Sequence, residues 1–285
     1  MRILGYLLAA LLATAPALAE TVKLPNGGTI NYAKVGGGPV PVVFLHGYSF
    51  DASVWERVTS MMPVRYTAYA YDLRGFGRSD KPAAGYSYAQ MAEDLGQFLD
   101  ALKLERAALV GHSLGAMVAQ EYATLVPQRV SALVLSNGQA RHLPPPGLTA
   151  PIQARIDSFG TPEQNRAVFQ QTTPRYFATA NLQQGDLERL IQVNMQSATP
   201  ALKQVLAEVF TAEALPPERF QRLTMPALIV ASTLDIVPWS VPVALSEALP
   251  NARIFVVERA GHTPMWERPR RWAEGVFAFL DGIKG

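Results

Sequence analysis

Cysteine is absent from the chain, which excludes disulfides, thiolate metal ligands and a cysteine nucleophile. Histidine is scarce. His46, His112, His142 and His262 are the only four, and no two stand at the i, i+4 spacing of a helical zinc pair. The expectation is therefore no metal and no cofactor. Charge is thin and balanced, with 25 Lys and Arg against 23 Asp and Glu. No basic run concentrates the formal net charge of +2, so nothing marks a nucleic-acid partner. No internal repeat or low-complexity tract is present. With 49% hydrophobic and 17% charged residues, the chain reads as an ordinary folded protein.

The N-terminus carries a different kind of message. Arg2 is followed by the apolar run Ile3–Ala13, and Ala17-Leu18-Ala19 places small residues where a signal peptidase reads. The pattern predicts a cleavable signal over residues 1–19, cut after Ala19, and hence a periplasmic or secreted protein. A membrane anchor is the other reading, but the run is too short to cross a hydrocarbon layer ~30 Å thick.

Beyond it, short apolar runs alternate with helical patterns. Thr21–Leu24 and Thr29–Val35 read as strands joined by the Asn26-Gly27-Gly28 turn. Six more strands are predicted at Pro41–Leu45, Tyr66–Asp72, Ala107–Gly111, Val130–Leu135, Pro226–Ala231 and Arg253–Val257. Helices are expected at Val54–Met62, Tyr88–Leu102, Leu114–Leu125 and Val241–Leu249, with a last one carrying Trp272, Val276, Phe279 and Leu280 on one face. Several strands are apolar without alternation, as strands buried on both faces are. The expectation is an α/β fold built on a mainly parallel, doubly wound sheet of about eight strands, with its ligand site beyond the strands' C-terminal ends. Residues 139–223 break the rhythm. They hold a Pro-rich linker, the Thr161-Pro162-x-Gln164 capping box and the apolar stripe Leu202, Val205, Leu206, Val209 and Phe210. This segment reads as a helical cap inserted after the sixth strand, dividing a core of residues 20–138 and 224–285. The other reading is that its helices simply extend the main domain.

The sharpest chemical signal is Gly111-His112-Ser113-Leu114-Gly115, between a predicted strand and a predicted helix. In that setting G-x-S-x-G is a nucleophile elbow. Small residues two before and two after let the chain bend sharply, lifting the serine hydroxyl to the N-terminal end of the helix, where negative charge is favoured. A serine needs a base, and the base needs an acid to hold its tautomer. His262 lies past the last strand. Asp235 follows the strand before it. The alternative acid position, one strand earlier, falls near Asn137, which cannot carry the charge. The expected catalytic set is Ser113, Asp235 and His262, in the chain order this type of triad uses. The oxyanion donors are expected to be the backbone N–H groups of Leu114 and Tyr48. His46 could be taken for a second base; it is read as structural, bonding its own loop. Phe50, Met117, Trp239 and Met265 flank these positions and are candidate substrate-lining residues, each of which could equally be ordinary core.

Taken together, these residues resemble the α/β-hydrolase superfamily, in its cap-bearing single-domain branch of esterases and lactonases. The resemblance rests on His46-Gly47 with Trp55, Asp72–Ser79, Gly111–Gly115, Asp235–Pro238 and Ala260-Gly261-His262 through Glu267-x-Pro269. It implies that Asp72–Ser79 is a structural loop, leaving Arg74 and Ser79 without a catalytic role. Ser113 argues against the relatives with an aspartate nucleophile, the haloalkane dehalogenases and epoxide hydrolases. The expected activity is hydrolysis of a small ester or lactone through an acyl-enzyme on Ser113. A cofactor-free haloperoxidase or perhydrolase and a carbon–carbon bond hydrolase are alternatives on the same triad, and a non-catalytic receptor is the alternative of another class.

Overall fold

Eight apolar runs become eight strands of one sheet. A computed structural model describes residues 18–283 of the chain. In chain order the strands are β1 (Leu18–Lys23), β2 (Thr29–Gly36), β3 (Val40–Leu45), β4 (Tyr66–Tyr71), β5 (Ala107–His112), β6 (Val130–Ser136), β7 (Ala227–Ser232) and β8 (Ala252–Val257). They lie in the order β1-β2-β4-β3-β5-β6-β7-β8. The first two pair antiparallel to each other, β2 pairs antiparallel to β4, and the rest run parallel. The mainly parallel eight-stranded sheet expected from the sequence is the one observed.

Parallel strands bury both faces, and alternate residues divide between them. Val43, Leu45, Leu109, Leu133, Leu135 and Ile229 face one core, shared with the helices Tyr88–Ala101, Leu114–Leu125 and Ser240–Ala248. Val42, Phe44, Val110, Val134, Leu228 and Val230 face the other, shared with Trp55 and with Trp272 and Val276 of the helix Pro269–Asp281. Each such aliphatic side chain contributes about 1.5–3 kcal/mol of burial. The expected helix over Val54–Met62 is shorter and begins as a 3₁₀ turn at Ala52–Trp55, continuing as Glu56–Thr59.

Between β6 and β7 no strand forms among the described residues. The helices Ala150–Asp157, Pro162–Thr172, Asp186–Asn194, Thr199–Thr211 and Pro217–Gln221 fill the segment. Thr161 closes the predicted capping box with Gln164. The N-terminal expectation falls mostly on residues 1–17, outside the described residues. β1 begins two residues before the predicted cut. A chain starting at Glu20 would keep Glu20–Lys23 of that strand paired with β2, and Tyr32 would still donate its hydroxyl to the Glu20 carboxylate.

Candidate active site

Ser113 sits at the bend between β5 and the helix Leu114–Leu125, with φ +49° and ψ −113°. That conformation is strained for a residue with a Cβ and costs about 1–3 kcal/mol. The glycines around it meet backbone at close range. A Cβ at Gly115 would lie 2.1 Å from the Leu45 carbonyl oxygen, and one at Gly111 would lie 2.4 Å from that of Gly115. The helix can start directly behind Ser113 only because neither side chain exists.

The loop after β7 and the loop after β8 bring the other two groups to it. His262 Nε2 lies 2.9 Å from Ser113 Oγ, and His262 Nδ1 lies 2.7 Å from Asp235 Oδ1. With the carboxylate accepting from Nδ1–H, the Nε2 lone pair faces the serine hydroxyl, which is the tautomer proton abstraction requires. The His262 and Asp235 side chains are 8% and 4% exposed. In so dry a setting their attraction is little screened.

Further residues hold this line in place. Asn137, at the end of β6, donates Nδ2 to Asp235 Oδ2 at 2.6 Å and to Ser232 Oγ at 3.0 Å. The Val237 N–H donates to Asp235 Oδ1 at 3.2 Å. The position set aside as unable to be the acid therefore serves it as a donor. His112 donates Nε2–H to the His262 carbonyl at 2.8 Å. The His262 N–H donates to the Tyr176 carbonyl at 2.8 Å. The Glu267 carboxylate accepts from the N–H groups of Gly261 and Thr263 on the histidine loop and of Ala178 from the segment between β6 and β7. Sequence reasoning missed the roles of Asn137, Val237, His112, Tyr176 and Glu267. His112 and Glu267 lie inside motifs it had quoted, but only contacts between distant segments reveal what they hold.

His46 accepts the Leu73 N–H at Nε2 and donates from Nδ1 to its neighbouring Gly47 carbonyl. It is a loop brace, as read from sequence. Ser79 donates to the Asp72 carbonyl, and Arg74 is held by Asp94 and the Gly85 carbonyl. Burial lowers the His46 and His112 pKa values below the ordinary 6.5, His112 well below it. A base with a depressed native pKa binds its proton first in the unfolded chain, so its contribution to stability is intact above about 6.5 and is lost as pH falls through that value. Each pH unit below about 6.5 through which a native imidazole stays neutral costs ~1.4 kcal/mol. Urea unfolding at pH 7.5 and pH 5.5 should show stability falling by at least ~1 kcal/mol at the lower pH. An unchanged midpoint would contradict the buried neutral assignment.

Above Ser113 lies a cavity of about 180 Å³. Tyr48, Phe50, Met117 and Leu114 line it from the core, and Arg155, Tyr176, Leu206, Val209 and Phe210 from the segment between β6 and β7. The Tyr48 hydroxyl donates to the Leu202 carbonyl at 2.8 Å, tying the β3 loop to the helix overhead. Burial pushes the Tyr48 phenol well above its ordinary 10, against the opposing charge of Arg155. A Cβ at Gly47 would lie 2.6 Å from His112 Nδ1 and 3.3 Å from Ser113 Cβ, so the loop carrying Tyr48 closes tightly on the serine.

Two expected lining residues are corrected. Met265 is fully buried in the core beside Trp55 and Trp272 rather than in the cavity, because the turn Pro264–Glu267 points it into the sheet. Trp239, at the start of the helix Ser240–Ala248, is 47% exposed and borders a separate cleft that Asp235 also lines. Among the described residues no group of three or more His, Asp or Glu is gathered as a metal site would need, and no helix is long and apolar enough to cross a membrane.

The chain belongs to the α/β hydrolase family, whose model, described as the alpha/beta hydrolase fold, matches residues 40–269. A pimeloyl-[acyl-carrier protein] methyl ester esterase of Aeromonas hydrophila is 28% identical over 269 residues, covering 88% of this chain and 99% of the relative. Among solved structures, an esterase from Exiguobacterium antarcticum superposes with TM-score 0.82 at 22% identity, covering 93% of this chain and 100% of the other. An enol-lactonase from Burkholderia xenovorans does so with TM-score 0.81 at 22% identity, covering 92% and 100%. At that identity the structural matches speak for the fold.

Proposed function

We propose that this α/β hydrolase is an exported serine hydrolase that cleaves small carboxylic esters or lactones through an acyl-enzyme on Ser113. One observation carries the reading: an unbroken hydrogen-bonded line from Ser113 Oγ through His262 to the buried Asp235 carboxylate, at the floor of a cavity. His262 takes the hydroxyl proton as Ser113 Oγ forms a bond to the carbonyl carbon. The charge that develops on the carbonyl oxygen falls to the Leu114 and Tyr48 N–H groups, a contribution of about 10²–10³ in rate per donor in such sites. His262 then protonates the leaving alkoxide, and water, activated by the same base, releases the acid. The methyl ester esterase activity of the Aeromonas hydrophila relative supports an ester substrate.

Intact-mass analysis of protein recovered from the exported fraction tests both halves. The expected chain begins at Glu20, and an alkyl fluorophosphonate adds one phosphonyl group, at Ser113, with loss of fluoride. Turnover of 4-nitrophenyl acetate or butyrate should be lost in step with that label. Tight ligand binding without labelling or turnover would instead mark a receptor.

A further inference from the structure

The cavity above Ser113 has one cationic side chain in its wall, Arg155, on the helix Ala150–Asp157. Its Nη2 donates to the Tyr176 hydroxyl at 2.9 Å. Its Nε is buried and has no hydrogen-bond partner among the described residues. It forms no ion pair among them either, whereas the partly buried Arg57, Arg74 and Arg141 each pair with a carboxylate. Arg155, Tyr176 and Ile236 also line an outer chamber of about 510 Å³, which has Arg175 in its wall. None of the described residues lining either chamber is Asp or Glu.

A guanidinium with an unmet buried donor is costly to hold in a folded chain, and among the described residues only Tyr176 offsets that cost, through its hydroxyl and through its ring at 6.0 Å. Arginine presents its donors as a planar fork that matches a carboxylate. The remaining wall is largely apolar: Phe50, Leu206, Val209, Phe210 and Val237. It would hold a short hydrocarbon spacer and keep water from competing for the charge. The Tyr176 carbonyl also holds the His262 N–H, so the arginine's one partner belongs to the segment that positions the base.

We infer that Arg155 is a specificity-determining residue, and that the preferred substrate is an ester carrying a second, free carboxylate a few bonds from the scissile carbonyl. The inference rests on the serine hydrolase reading above and narrows it. Hydrolysis leaves this carboxylate untouched. The ion pair positions the carbonyl over Ser113.

The test compares two pairs of esters: mono-4-nitrophenyl glutarate, anionic on the acyl side, with neutral 4-nitrophenyl butyrate; and 4-butyryloxybenzoate, anionic on the alcohol side, with neutral 4-methylphenyl butyrate. In the wild type, one of the anionic esters is expected to exceed its neutral counterpart in kcat/KM by roughly 10- to 100-fold, the range for a hydrogen bond to a charged group. Which one does so assigns the side on which the carboxylate lies. In Arg155→Gln that ratio should fall toward one, mainly through KM, and Arg155→Lys should recover part of it. Each measurement is a ratio within one protein, so a general loss of activity or of folded fraction in a variant cancels. A wild-type ratio near one for both anionic esters, with neutral esters turned over, overturns this inference and leaves the serine hydrolase reading standing. So does a ratio that survives Arg155→Gln. No turnover of any ester and no fluorophosphonate adduct overturns both.

Discussion

Replacing Ser113 by Ala should lower kcat/KM for any ester substrate by at least ~10⁴-fold while leaving the chain folded. The size of the effect follows from the loss of the nucleophile itself. His262 and Asp235 keep their mutual 2.7 Å contact, and the backbone donors remain, but no oxygen is left to form the acyl bond. Residual activity would come only from binding and oxyanion stabilisation acting on water. Alanine also keeps a Cβ at φ +49°, so the local strain persists. Glycine at the same position tolerates that conformation. Ser113→Gly should therefore be equally inactive yet more stable than Ser113→Ala by ~1 kcal/mol, after allowing for glycine's greater freedom in the unfolded chain. Steady-state assays and urea unfolding of the two variants check both parts. A variant retaining a tenth of wild-type activity would remove Ser113 from the chemistry.

Asp235→Asn should lower kcat by ~10⁴-fold with a much smaller change in KM. Asp235 accepts from His262 and the Val237 N–H on one oxygen and from Asn137 on the other. An asparagine must turn its amide nitrogen to one side. On the first it meets the Val237 N–H, and it can be satisfied by the His262 ring only if that ring gives up its Nδ1 proton and presents Nε2–H to Ser113, the wrong tautomer for a base. On the second it faces the amide donor of Asn137. In neither case does a negative charge remain to stabilise the imidazolium as it forms. Single-turnover kinetics should show the loss in the acylation step. A loss below tenfold would mean that some other group orients His262.

Much of this architecture was legible in local pattern. The apolar runs that became β3 through β7 need burial on both faces wherever they go, and only a layered α/β arrangement supplies it. The G-x-S-x-G spacing was readable because its cause is local: the backbone approach at Gly115 excludes any Cβ. The expected order of Ser113, Asp235 and His262 was readable because it matches the chain order that this type of triad uses. The failures have a common form. Met265 and Trp239 stand beside site residues in sequence, yet one turn of helix or a helix start sends them elsewhere. Adjacency along the chain does not specify direction.

What the sequence by itself determined about this protein is which segments must be strands and helices, that they form one mainly parallel sheet, and which residue types could carry acyl-transfer chemistry. Those follow from periodicity, burial and steric demands within a few residues. Only the tertiary structure decided that Asn137 serves Asp235, that Glu267 and His112 hold the histidine loop, and that Arg155 lines the cavity with no carboxylate partner among the described residues. Hydrogen bonds such as that between His112 and His262, 150 residues apart, depend on how distant loops and helices settle around the sheet, and no short-range pattern encodes that placement.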